Sequence, residues 1–148
     1  MAGIEQIYVD PSALVRLYLH QDKSAEVARW RRGKGGVLVT HHGRLEMTNA
    51  IALAEFRGEL SKTGSAEATR WIAEDFRDGH LVQADLLWRA ALDRAADLAR
   101  KQTPVLGTRS LDVLHVACAL ELKLPRFLTF DERQRKLVTA AGLKLLRI

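Results

Sequence analysis

The sequence predicts an α/β fold built on a mainly parallel sheet with helices on both faces. Two observations predict it. Short apolar strand-like runs alternate with stretches of helical periodicity from one end of the chain to the other. The length of 148 residues and the 47% apolar content suit one domain, 1–148, around one core. No low-complexity tract, long linker or internal repeat interrupts the pattern.

The elements follow in order. Residues 4–9 read as a buried strand, and Pro11 opens a helix running to about Leu19. Residues 24–31 form a second helix. Residues 37–40 are a short strand bounded by glycines, followed by a long helix, 44–57, that Gly58 helps to end. Trp71, Ile72 and Phe76 give 65–76 a helical spacing. Residues 81–83 make a weak strand after Gly79. Leu87, Ala91 and Leu98 form the apolar stripe of a helix over 86–101, and Pro104 with Gly107 marks a loop. An apolar helix over 111–122, a strand over 127–130, a helix over 132–141 and a last strand over 143–148 complete the chain.

Composition narrows the function. Lys and Arg number 23 against 18 Asp and Glu, a net charge of +5 that favours a polyanionic partner. The clearest basic patch is Arg29, Arg31, Arg32 and Lys34, which equally reads as a solvated helix end and turn. Gly35-Gly36 beside it lacks the spacing of a phosphate loop. No apolar stretch reaches membrane-spanning length, and the start at Met1 lacks the basic and apolar regions of a secretion signal. Cys118, the only cysteine, cannot form an internal disulfide. A cytoplasmic location is expected.

Four acids stand at helix starts. Asp10 follows the first strand, Glu46 lies early in the helix after the second, Asp112 lies near the start of the apolar helix, and Asp131 follows the 127–130 strand. Each has a plain structural reading. Asp10 and Asp131 suit N-caps, and Glu46 and Asp112 suit the positive end of a helix dipole. Jointly they suggest more, because ligands of parallel sheets bind beyond the carboxyl ends of the strands. Carboxylates gathered there repel one another and raise each other's pKa, a cost that a divalent cation relieves. All-oxygen ligands suit magnesium or manganese rather than zinc. An acidic metal cluster on a basic protein suggests phosphodiester chemistry, with one or two ions. His41 and His42 adjoin this edge and read as loop residues.

At these residues the chain resembles the PIN-domain ribonucleases, specifically the VapC-type toxins of VapBC toxin–antitoxin pairs. Val9-Asp10-Pro11-Ser12-Ala13-Leu14-Val15 is similar to the family's opening motif, and Leu45-Glu46-Met47-Thr48-Asn49-Ala50 to its second. Arg109-Ser110-Leu111-Asp112-Val113-Leu114-His115-Val116-Ala117 is the most specific match, and Phe127-Leu128-Thr129-Phe130-Asp131-Glu132-Arg133-Gln134 is the fourth. The resemblance spans essentially the whole chain. It implies a PIN-like three-layer α/β/α sandwich and a Mg²⁺- or Mn²⁺-dependent endoribonuclease. Asp10, Glu46, Asp112 and Asp131 match the family's acidic quartet, with Asp10 and Asp112 as principal metal ligands. Ser12 and Thr129 match small hydroxyl positions beside the site; a helix cap and an ordinary strand residue are the alternatives. Asn49 would support the site from the Glu46 helix face. Arg109 would contact phosphate or pair with an acid. His115 reads as a satisfied core histidine.

The resemblance also implies an RNA substrate, a homodimer and a cognate VapB-like antitoxin whose tail packs on the toxin. Leu14, Leu17, Ile51, Leu53 and Phe56 are candidates for its groove or for the core. The chain carries no DNA-reading motif of its own. A PIN nuclease of RNA processing without an antitoxin and a catalytically silent PIN-like module are the rival readings. Receiver domains need an acidic pair after the first strand and a late lysine. Dehalogenase-like phosphatases need a second aspartate where Ser12 stands. Both patterns fit poorly.

Overall fold

A computed structural model describes residues 3–148; Met1 and Ala2, part of the start read above as lacking a secretion signal, lie outside them. The chain has a mixed α/β fold with parallel strands, the class predicted from the sequence. It falls into two compact units. Unit 1 holds 11–84 with 3–5 and 148, and unit 2 holds 6–10 with 85–147.

Unit 2 is built on three parallel strands in the order β1-β4-β5: β1 (Ile7–Val9), β4 (Arg126–Leu128) and β5 (Lys144–Leu145). Tyr8 lies opposite Phe127 in the register, and their rings stack at 5.1 Å between centroids. All three β1 residues are buried, as expected of a parallel strand covered on both faces. Around the strands lie α5 (Trp88–Leu106), α6 (Ser110–Glu121) and α7 (Glu132–Ala140). Helix α6 buries Val113 and the run His115–Ala119, so its apolar sequence belongs to the core of the unit. Burial also pushes the Cys118 thiol up to about 12.

Unit 1 holds α1 (Pro11–Leu14), a 3₁₀ turn (Val15–Leu17) and α2 (Ser24–Arg31). The parallel pair β2 (Val37–Val39) and β3 (Leu81–Gln83) follows, with α3 (His41–Phe56) and α4 (Lys62–Arg77) between them in the chain. Gly36 lies so close to Gly79 that a Cβ there would sit 2.7 Å from its carbonyl oxygen, so only glycine fits. The Arg44 guanidinium of α3 lies 4.5 Å from the centre of the Phe76 ring of α4.

Several boundaries differ from the sequence reading, each for a physical reason. Ile4 makes one bridge to Gly36 in unit 1 while Ile7–Val9 pairs in unit 2, so the predicted strand 4–9 is split. The predicted helix 11–19 tightens after one turn, with the N–H groups of Tyr18 and Leu19 both bonded to the Val15 carbonyl. Helices α3 and α4 start three residues earlier than predicted, because Thr40 and Ser61 cap them through bonds from Gly43 and Gly64. His41 and His42 therefore open a helix rather than sit in a loop. Helix α5 runs through Pro104, read above as loop. Pro104 lacks the N–H that would reach the Arg100 carbonyl, yet the helix continues for only two residues beyond it before Gly107, at φ 66°, closes it with its N–H on Thr103 at 2.8 Å.

Candidate active site

Two parallel strands of unit 2 deliver the acids. Strand β1 hands over to Asp10, whose N–H bonds the Leu128 carbonyl at 2.9 Å and whose side chain is 5% exposed. Beyond β4, Asp131 caps α7, its Oδ1 accepting from the Gln134 N–H at 2.8 Å. The capping reading of Asp131 thus holds at the level of the backbone. Asp112 stands in the first turn of α6, and its Oδ2 accepts from Arg109 Nε at 3.3 Å.

Electrostatics join the three acids. Burial pushes the Asp112 carboxyl above its usual range, and the negative charge of Asp10 pushes it further. Arg109 pulls the other way, and Asp131 adds a smaller upward push. Asp10, Asp112 and Asp131 therefore share one field. Among the described residues no group of three or more His, Cys, Asp or Glu side chains is arranged to hold a metal ion. Gln134 bonds Asp10, and Arg109 bonds Asp112.

Gln134 is the residue sequence reasoning missed. It is fully buried, and its Nε2 donates to Asp10 Oδ1 at 3.0 Å and to the Asp112 carbonyl at 3.4 Å. Both partners are acceptors, so the amide nitrogen faces them. Its Oε1 is buried with no hydrogen-bond partner. The only signal in the sequence is the Asp131-x-x-Gln134 spacing, which reads as a helix start rather than as a site.

The remaining predicted residues fall as follows. Thr129 is buried beyond β4 and its hydroxyl accepts the Asp131 N–H at 3.2 Å. Arg109 is 76% exposed and pairs with Asp112. His115 is 1% exposed and shares a 2.5 Å hydrogen bond with Tyr8, the satisfied core histidine expected. Glu46, Ser12 and Asn49 belong to unit 1: Glu46 is half-buried on α3, Asn49 is exposed on the same helix, and Ser12 is exposed on α1. His41 Nδ1 meets Gln83 Nε2 at 3.2 Å. Of the groove candidates, Leu14 and Ile51 are core, whereas Leu53 and Phe56 are exposed.

The chain is similar to known proteins. The PIN domain family model matches residues 7–139, through both units. Ribonuclease VapC46 of Mycobacterium tuberculosis is 32% identical over 143 residues, 95% of this chain and 95% of the relative. Ribonuclease VapC47 of the same species is 26% identical over 133 residues, 86% of this chain and 85% of the relative. The crystal structure of M. tuberculosis VapC20, described as a sarcin-ricin loop cleaving toxin, superposes with a TM-score of 0.66 at 16% identity. That superposition covers 96% of this chain and 99% of the other, and shows a shared fold. From the family match together with these relatives, the chain belongs to the PIN domain family, in its VapC ribonuclease branch.

Proposed function

We propose that this chain is a divalent-metal-dependent endoribonuclease of the VapC toxin type, hydrolysing phosphodiester bonds in RNA and held in check by a cognate antitoxin. The observation that carries the reading is the grouping of Asp10, Asp112 and Asp131, in which the Asp112 carboxyl is pushed up by burial and then by the charge of Asp10, with a smaller push from Asp131. Such a grouping favours a cation. The donors are carboxylates. This donor set fits magnesium or manganese, one ion or two. Magnesium is commonly held by one or two carboxylates, with water completing its shell, so a cage of protein ligands is not required.

When bound, the ion supplies Lewis-acid polarisation of a phosphate and activation of a water nucleophile. The chain's own residues bind and orient. Asp10 and Asp112 are the principal ligands, and Asp131 completes the set directly or through water. Glu46 is assigned on its sequence motif alone. Arg109, exposed beside Asp112, can exchange its carboxylate for a substrate phosphate, which a guanidinium binds in the same geometry. The net charge of +5 draws the RNA backbone toward the protein.

The partner reading rests on α3. Leu45, Leu53 and Phe56 are all exposed along it, Phe56 at 87%. A stripe of that kind suits an apolar antitoxin segment lying along the helix. A homodimer and a cytoplasmic location complete the proposal; among the described residues no helix is long and apolar enough to cross a membrane. The test is cleavage of total RNA by the purified chain with Mg²⁺ or Mn²⁺, and again with EDTA. Cleavage that stops in EDTA and returns with the metal supports the reading. Cleavage that ignores EDTA overturns it.

A further inference from the structure

We infer that Gln134 is a positioning residue for the metal ligands: its amide orients the Asp10 carboxylate and ties it to the first turn of α6, which carries Asp112. The inference rests on the metal-dependent reading above and extends it to a side chain outside the acidic quartet.

Three observations carry it. The first is what Gln134 does not do. It is the third residue of α7, with Asp131 as the N-cap. In a capping box, a glutamine at that position turns back to the N–H of the cap residue. Here that N–H is already bonded to the Thr129 hydroxyl at 3.2 Å. The amide is thereby released from helix capping and reaches Asp10, 124 residues away in the chain.

The second is burial. Gln134 is 0% exposed, and its Oε1 has no hydrogen-bond partner. A methionine of similar size and flexibility would fill the same space without leaving a buried acceptor unpaired. The favourable contribution of the amide therefore lies in its N–H group, and that group meets a carboxylate. A hydrogen bond to an ionised acceptor is roughly twice as strong as a neutral one. It also fixes the plane of the carboxylate it meets.

The third is reach. The same Nε2 lies 3.4 Å from the Asp112 carbonyl. One nitrogen thus links the residue after β1 to the helix turn that carries the Asp112 side chain. The spacing of the two principal ligands depends on it. Thr129 acts one step earlier, by occupying the N–H that would otherwise claim the glutamine.

The test uses the full chain freed of metal by EDTA and dialysis, with Mn²⁺ as the probe. Mn²⁺ affinity is read by isothermal titration and by the spin-resonance signal of free Mn²⁺, alongside thermal melts and RNA cleavage kinetics. Gln134→Met keeps the volume and removes the donor. Gln134→Asn keeps the amide and shortens its reach. Both are expected to melt cooperatively and to bind Mn²⁺ about 10–100-fold more weakly than the wild type. Both should lower kcat while leaving the KM for RNA within about twofold, the mark of a group that serves the reacting centre rather than substrate binding. If the wild type binds Mn²⁺ and both variants bind it equally well, the positioning role is wrong and the metal-dependent reading stands. If the wild type binds no Mn²⁺, that reading falls and takes this inference with it. If neither variant folds cooperatively, the amide serves folding and the inference is overturned.

Discussion

Asp75 in unit 1 and Asp112 in unit 2 are both partly buried carboxylates on helices, yet their surroundings differ. Asp75 is ringed by donors. The Tyr18 hydroxyl donates to its Oδ2 at 2.5 Å, and His80 Nδ1 meets its Oδ1 at 3.1 Å. Burial, and then Asp75 itself, pushes the Tyr18 hydroxyl far above its usual range, so it remains a donor. Among the described residues Asp112 has one side-chain donor, Arg109, and two further acids in its field. The difference teaches that burial alone does not mark a site. The Asp75 carboxylate meets a tyrosine and a histidine, whereas the Asp112 carboxylate meets Arg109 and faces two further acids.

The largest expected effect separates the two on activity. Asp112→Asn or Asp10→Asn should lower RNA cleavage by about 10³-fold, since a metal ligand contributes several kcal/mol of charge stabilisation. Asp75→Asn should leave the rate within about threefold. Equal losses in purified Asp75→Asn and Asp112→Asn, measured under the same Mg²⁺, would erase the distinction.

Stability should separate them in the opposite sense. Asp75→Asn weakens two hydrogen bonds to a charged acceptor and should cost about 1–3 kcal/mol, or roughly 2–10 °C in Tm. In EDTA, Asp112→Asn should raise Tm, because it removes a carboxylate that burial and its neighbours disfavour. A lower Tm for Asp112→Asn in EDTA would mean that the Arg109 bond outweighs the repulsion.

The pH dependence sharpens this further. The folded carboxyl of Asp112 titrates above its ordinary value of 3.8, so between that value and the raised one the folded state holds more protons than the unfolded state. Its contribution to stability is therefore greatest at low pH, is lost as pH rises through that window, and stays lost at neutrality. The Tm gap between the wild type and Asp112→Asn in EDTA should close as pH falls through the window. A gap that stays constant would assign the difference to packing.

The smallest effect is expected at Arg109. Its side chain is 76% exposed, and pairs of this kind contribute about 0–1 kcal/mol. Arg109→Ala should barely move Tm or the midpoint of chemical denaturation, while raising the KM for RNA. An unchanged KM would remove Arg109 from the phosphate-binding role.

Much of this was legible in the sequence, and what was not has local causes. Alternation of strand and helix gave the class, because parallel strands buried on both faces must be nearly all apolar, as Ile7, Tyr8 and Val9 are. Asp10, Asp112 and Asp131 stood out in the sequence because each follows a strand or opens a helix. Helix starts at Thr40 and Ser61 were missed because a polar cap carries no apolar periodicity. Pro104 was overread as a breaker, since the helix runs two residues past it before Gly107 ends it. Gln134 was invisible for a deeper reason. Its spacing from Asp131 has a local explanation, and only the diversion of one N–H to Thr129 turns the side chain toward a distant partner.

The cysteine of α6 offers a practical handle. Cys118 has no exposed surface, and its thiol is held protonated at neutral pH. A thiol-reactive dye added to the native chain would stay dark until that helix is uncovered. Its labelling rate would time the opening of unit 2, with no residue altered to report it.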